Sequence, residues 1–209
     1  MVKEMTSTNY LSPQDFKKMI DAIPLVTEYN KSNLLGWAKD KVPNPRYIRW
    51  ALWVQYCCAL RISEVLNLEK EDFNFKRNIL TLNNTKTGKG KKQYTSIPPD
   101  FPKSAINWIS FDIDGSKLFK FNRQLMWRYV KLACEFAKLE IGEQQDQRYI
   151  EGGWTHLIRK SRAKMMDELG CKEGLIARKL RHTWKNTTDR YVRLDINALI
   201  EWERENIGA

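Results

Sequence analysis

The chain has 209 residues, enough for one domain with a sizeable core and at most a small appendage. Lys and Arg total 36 against 25 Asp and Glu, a formal charge of +11 that favours a polyanionic partner, nucleic acid foremost. The eight Trp, eight Tyr and eight Phe exclude a disordered basic tail, no apolar run reaches the length of a membrane span, and the first ten residues lack a signal-peptide core, so an intracellular protein is expected.

Residues 1–10 are polar and are expected to form a flexible segment. Leu11–Ile23 reads as a helix, with Ser12 as cap, Pro13 at the first helical position and Asp15 three residues after the cap. Phe16, Met19, Ile20 and Ile23 give it one apolar stripe. A second helix is expected over Ser32–Asp40, and Pro43 and Pro45 interrupt the chain before a third. Tyr47–Leu60 is apolar or aromatic almost throughout, which belongs in a core. Its Cys57 and Cys58 read as buried free thiols; with Cys134, Cys171 and only two histidines, no zinc spacing can be built.

Arg61 ends that apolar helix. A guanidinium there is costly unless it meets an anion. The Glu64 carboxylate is the local candidate and a bound phosphate the functional one; the two are compatible, because Glu64 can hold Arg61 in place for a phosphate.

The period then changes. Phe73–Phe75, Ile79–Leu82 and Tyr94–Ile97 read as three short strands, the last two joined by Thr85-Lys86-Thr87-Gly88-Lys89-Gly90-Lys91-Lys92, a hairpin rich in lysine and glycine. Its glycines lack the spacing of a nucleotide-binding P-loop. Pro98-Pro99 closes the sheet. Helices are expected at Pro102–Ser110 and Asn122–Lys138, the latter facing the core through Leu125, Tyr129, Leu132 and Phe136. A polar loop, Glu140–Gly153, precedes helices at Trp154–Leu169 and Glu173–Leu180. A final amphipathic helix, Asp195 to about Glu205, has Ile196, Leu199 and Ile200 on one side and Glu201, Glu203 and Arg204 largely on the other. The expected fold is therefore α+β but mainly α-helical, with a small three-stranded antiparallel sheet carrying the lysine hairpin.

Both histidines fall between Trp154 and Tyr191. His156 and Arg159, three apart on one helix, point the same way and can close on one anion. His182 is followed by Tyr191 beyond a short helix, where the phenol can be brought to that anion.

Four stretches together resemble the catalytic domain of the tyrosine recombinases, the integrase family of phages, viruses and mobile elements. Ala59-Leu60-Arg61-Ile62-Ser63-Glu64-Val65-Leu66-Asn67-Leu68 resembles the first arginine box and Thr85-Lys86-Thr87-Gly88-Lys89 the lysine hairpin. His156-Leu157-Ile158-Arg159 resembles the H-x-x-R box, and Leu180-Arg181-His182 followed by Thr188-Asp189-Arg190-Tyr191 the tyrosine box. The resemblance runs from about Leu11 to Tyr191, placing a catalytic domain at 11–194 and a separate helix at 195–209. Two differences stand out. Arg181 occupies the usual glycine position, so that turn is built differently or carries an extra phosphate contact. The family usually has an N-terminal helical domain that completes a clamp on DNA, and only ten residues precede Leu11, so the chain reads as a catalytic-domain fragment or a minimal form.

The resemblance implies a site-specific recombinase that cleaves and rejoins double-stranded DNA through a 3′-phosphotyrosyl intermediate. Tyr191 is the implied nucleophile. Arg61 and Arg159 clamp the non-bridging oxygens, where planar guanidinium forks suit a pentacoordinate phosphorus. His182 donates to the same oxygens, His156 accepts the phenolic proton, and Lys86 protonates the departing 5′-oxygen. Glu64 orients Arg61 from behind. Lys89, Lys91, Lys92 and Arg181 are candidate DNA contacts. No cofactor and no metal are implied, because the exchange conserves bond energy. The implied assembly is a tetramer on paired sites, in which the 195–209 helix either packs on its own domain or is exchanged between protomers. A type IB DNA topoisomerase, or a DNA-binding relative without catalysis, would share the fold.

Overall fold

A computed structural model of the chain describes residues 10–83, 92–111, 117–141, 153–181 and 195–207. In chain order the elements are α1 (Pro13–Ser32), α2 (Gly36–Lys39), α3 (Pro45–Cys57), α4 (Ile62–Val65), a 3-10 turn (Lys70–Asp72), β1 (Phe73–Asn74), β2 (Ile79–Leu82), β3 (Gln93–Ser96), α5 (Lys103–Phe111), α6 (Arg123–Phe136), α7 (Trp154–Glu168), α8 (Glu173–Leu180) and α9 (Ile196–Asn206). The fold is mainly helical with one small antiparallel sheet of order β1-β2-β3. Its register pairs Leu80 with Thr95.

Helix α1 starts where its cap chemistry places it. The Ser12 hydroxyl accepts from the Asp15 amide at 3.1 Å, and Pro13 occupies the first turn, where its missing N–H costs nothing. Its end differs from expectation. The helix runs through Pro24 to Ser32, because Val26, Thr27 and Asn30 bury against the core and offset the one lost backbone bond. Helix α2, in turn, is a single turn rather than the nine residues expected.

Helix α3 is the axis of the core, with Ile48, Ala51, Leu52, Val54 and Cys57 fully enclosed. Against it α1 stacks Phe16 on Tyr56 with ring centroids 4.1 Å apart, and α5 stacks Trp108 on Trp50 at 4.4 Å. All four cysteines are free and buried. Helix α6 faces the core through Met126, Tyr129, Val130, Ala133 and Cys134. Phe136, expected inside, is 40% exposed and meets the Tyr29 ring edge-on at 5.7 Å. A smaller core of Met165, Met166, Cys171, Leu175 and Leu199 joins α7, α8 and α9. No described helix is long and apolar enough to cross a membrane.

Candidate active site

The site is built at the end of α3. Ala59 adopts a left-handed conformation (φ 48), while the Leu60 amide bonds the Gln55 carbonyl at 3.0 Å and the Ala59 amide bonds Tyr56 at 3.1 Å, closing the helix with a sharp reversal. The reversal delivers Arg61 as the N-cap of α4. Glu64, on the first turn of α4, reaches back to accept from the Arg61 amide at 2.7 Å and from its Nη1 at 3.0 Å. The local carboxylate expected for Arg61 is therefore present.

Glu64 holds more than Arg61. Arg181 Nη2 lies 2.6 Å from Glu64 Oε2, and Arg159 Nη1 lies 3.9 Å from the same oxygen. Three guanidiniums thus converge on one carboxylate whose side chain is 6% exposed. Arg159, from α7, donates Nη1 to the Ala59 carbonyl at 2.6 Å and Nη2 to the Leu180 carbonyl. Its side chain is 3% exposed, whereas that of Arg61 is 27% exposed, so Arg61 is the member of the cluster presented to solvent. His156 sits half-buried one turn ahead of Arg159 on α7. Gly153, at φ 80, lets the chain turn into that helix, and a side chain there would be strained.

Burial and the flanking charges of Arg181 and Arg61 push Arg159 down to about 9, the signature of cations crowded without enough anion. For Glu64, burial alone would raise the pKa; the Arg181 charge, the Arg61 amide and the Arg159 and Arg61 charges outweigh it and hold it below its ordinary 4.5. The sign for stability follows. With the folded pKa depressed, stabilisation is complete above the unfolded value and is lost as pH falls through the folded one. Between about pH 5 and about pH 3 the wild type should lose more unfolding free energy than Glu64→Gln, measured by urea denaturation. Parallel losses would mean that this carboxylate does not couple to folding.

At Arg181 the sequence left open a differently built turn or an extra phosphate contact, and the turn is built on the arginine itself. It caps α8 in the left-handed conformation (φ 53, ψ 41), its guanidinium turns inward, and Nη1 donates to the Lys179 carbonyl at 3.0 Å.

Behind the arginines lies a second ionic network that the sequence reading missed. Lys179 on α8 is fully enclosed, its Nζ 2.7 Å from Glu203 Oε1 on α9 and donating to Ser96 O at 3.1 Å and Ser96 Oγ at 2.9 Å. Arg162 on α7, also enclosed, holds Asp100 in a fork at 2.6 and 3.2 Å, with Glu203 at 3.6 Å. Glu203, expected on the outer face of the last helix, is therefore fully buried. The network fastens α8 to β3, as does the Arg178 Nη1 bond to the Tyr94 carbonyl at 3.1 Å. Thus the strand leaving the lysine hairpin is tied to the helix leading to His182.

Lys86, Lys89, Lys91, His182 and Tyr191 lie outside the described residues. Lys92 is described and exposed, just before β3. At the other root of the hairpin, Asn83 Nδ2 donates to Asp72 Oδ1 at 2.8 Å. Beside the start of α7 a cavity of about 870 Å³ is lined by Arg123, Trp127, Arg128, Gly153 and Thr155. Trp127 is 44% exposed. A cationic, aromatic lining of this kind suits a nucleic-acid strand.

Comparison with known proteins fits this arrangement. The tyrosine recombinase XerA of Pyrococcus furiosus is 28% identical over 94% of this chain and 62% of its own length. The chain thus spans less than two thirds of that relative. Among solved structures, XerH recombinase bound to palindromic difH substrate in a post-cleavage complex matches with a TM-score of 0.56 at 18% identity, over 95% of this chain and 52% of that one. The catalytic domain of bacteriophage HP1 integrase matches with a TM-score of 0.53 at 15% identity, over 96% of this chain and 98% of that one. The last match shares the fold of an isolated catalytic domain almost end to end. The model of the phage integrase family matches residues 25–197, from within α1 into α9, and this chain belongs to that family.

Proposed function

We propose that this chain is a site-specific DNA recombinase that cuts and rejoins strands through a covalent bond between Tyr191 and a 3′-phosphate. The observation that carries the reading is the convergence of Arg61, Arg159 and Arg181 on the single carboxylate of Glu64, a pocket two charges positive. An arriving phosphodiester supplies the anion this cluster lacks, and the charge that builds on the pentacoordinate phosphorus raises the stabilisation further. Arg61, the more exposed fork, makes the first contact; Arg159 strengthens the field from behind.

In the cleavage step the Tyr191 oxygen bonds to phosphorus and the bond from phosphorus to the 5′-oxygen breaks. The phenolic proton passes to His156, and Lys86 gives a proton to the departing 5′-oxygen. His182 donates to a non-bridging oxygen. The phosphotyrosyl link conserves the energy of the broken bond, so a 5′-hydroxyl can reverse the step with neither ATP nor a metal. Double-stranded DNA is the partner, with Lys89, Lys91 and Lys92 on the hairpin, and Arg123 and Arg128 beside the α7 cavity, as backbone contacts. On paired sites the protein acts as a tetramer. If α9 is exchanged between protomers, a neighbour's Glu203 must replace the one that leaves Lys179, because that ammonium is enclosed.

The test is Tyr191→Phe on a nicked duplex. It is expected to bind with wild-type affinity, with log Kd varying with log salt by about 0.9 per phosphate contacted, and to form no covalent adduct. A type IB topoisomerase would also relax plasmids lacking any target site. A catalytically silent relative would give no adduct even as wild type, and either a flat salt response or an adduct retained by Tyr191→Phe would contradict the proposal.

A further inference from the structure

We propose that Arg181 is a positioning residue: it occupies the second oxygen of Glu64, so that this carboxylate orients Arg61 without neutralising Arg159. The inference rests on the phosphodiester chemistry proposed above and assigns a role to the one position where the tyrosine box departs from the expected glycine.

The argument begins with the backbone. Arg181 has φ 53 and ψ 41, a conformation that glycine adopts freely and a side chain resists. If its only role were to cap α8, glycine would serve with less strain. The side chain therefore has a task of its own, and its contacts say what it is. Oε1 of Glu64 takes Arg61 Nη1, and Oε2 takes the Arg61 amide at 2.7 Å and Arg181 Nη2 at 2.6 Å. Arg159 Nη1 remains 3.9 Å from Oε2, beyond hydrogen-bond distance, and spends its donors on the carbonyls of Ala59 and Leu180. Those two carbonyls belong to the segments that lead into Arg61 and His182, so Arg159 is held where both elements of the site meet.

Remove the Arg181 guanidinium, and the nearest remaining donor to Oε2 after the Arg61 amide is Arg159 itself. The loss itself cuts the charge of the pocket from two to one, and closing that gap would in addition pair Arg159 with Glu64. Arg181 also bridges the pieces of the site directly, through Nη1 to the Lys179 carbonyl and Nη2 to Glu64, tying the end of α8 to α4. The residue is buried, 5% exposed, and acts through Glu64 and Arg159 rather than on the substrate.

Three variants of the full chain separate this role from a structural one: Arg181→Gly removes charge and strain together, Arg181→Gln removes charge and keeps hydrogen-bonding capacity, and Arg181→Lys keeps the charge. Each is measured for single-turnover cleavage of a nicked duplex across pH, for the half-saturating DNA concentration, and for binding of inorganic phosphate. The two neutral variants should cleave about tenfold or more slowly with little change in half-saturation. Their rate should rise toward its plateau at a higher pH, because less positive charge disfavours the phenolate. Arg181→Lys should recover the pH midpoint and much of the rate.

Wild-type cleavage in either neutral variant would overturn the assignment, and so would an Arg181→Lys as slow as Arg181→Gly with an unmoved pH midpoint. Should one neutral variant not fold, the other decides. If the wild type forms no adduct at all, the recombinase reading fails separately. Phosphate binding then judges Arg181: weakening of about tenfold in the neutral variants supports it, and equal binding refutes it.

Discussion

Replacing Glu203 with alanine should lower the unfolding free energy by about 3–5 kcal/mol, the cost of leaving a buried charge without its partner. The carboxylate is fully enclosed between Lys179 Nζ at 2.7 Å and Arg162 Nη2 at 3.6 Å. After substitution Arg162 keeps its fork on Asp100, but Lys179 keeps only the neutral oxygens of Ser96. An enclosed ammonium with dipoles alone is the expensive state. For a chain of this size the loss should appear as a drop in Tm of about 10 °C. The neighbouring Arg204→Ala, on the exposed face of the same helix, should change stability by less than about 0.5 kcal/mol. An unchanged Tm for Glu203→Ala would mean that α9 does not sit on its own chain in solution. A loss that depends on protein concentration would mean that it sits on a neighbour's. Deleting residues 195–209 removes the same charge, so that truncation reports on stability as well as on assembly.

The second large effect is on chemistry. Arg61→Ala should slow strand cleavage by about 10²–10³-fold, the usual cost of losing one preorganised donor to developing charge. Arg159 cannot take over, because its side chain is 3% exposed and its terminal nitrogens are bound to carbonyls. DNA affinity should fall far less, since one phosphate contact among several is lost and the salt slope drops by about one. The fold should survive: Glu64 keeps the amide of residue 61 and the Arg181 guanidinium. Cleavage within a few-fold of wild type would place the phosphate somewhere other than this cluster.

Much of the architecture was legible before any coordinates. Ser12-Pro13 announced the start of α1, and the short apolar run Ile79–Leu82 announced a strand whose Leu80 and Leu82 are buried. Arg61 with Glu64 three residues on was enough to expect the pair, because a guanidinium closing an apolar helix requires an anion. What failed were inferences from residue type alone. The first helix was expected to end at Ile23, yet burial of Val26, Thr27 and Asn30 carries α1 through Pro24 to Ser32. Phe136 read as core, yet the buried face of α6 is offset to Met126, Val130 and Ala133, leaving the last aromatic at the surface.

The buried ionic network was missed for a related reason. Arg162, Lys179 and Glu203 each lie four residues from an apolar side chain on the buried face of their helix: Ile158, Leu175 and Leu199. Phase, not charge, placed them inside, and a charge in phase with an apolar stripe was the available signal. The partners could not be read locally, since Asp100 and Ser96 come from the sheet exit and Glu203 from the last helix. Arg181 is the same case with chemistry attached: its departure from glycine was visible, but its orientation depends on a carboxylate far away in the chain.

Incubating the protein with a nicked half-site duplex, digesting the product with trypsin and sequencing the peptide that retains nucleotide tests the central claim most directly. The expected result is a single modified peptide with the nucleotide on the phenolic oxygen of Tyr191, formed by the wild type and strongly reduced in Arg61→Ala. Nucleotide on any other residue, or DNA that is bound but never covalently attached, would contradict it.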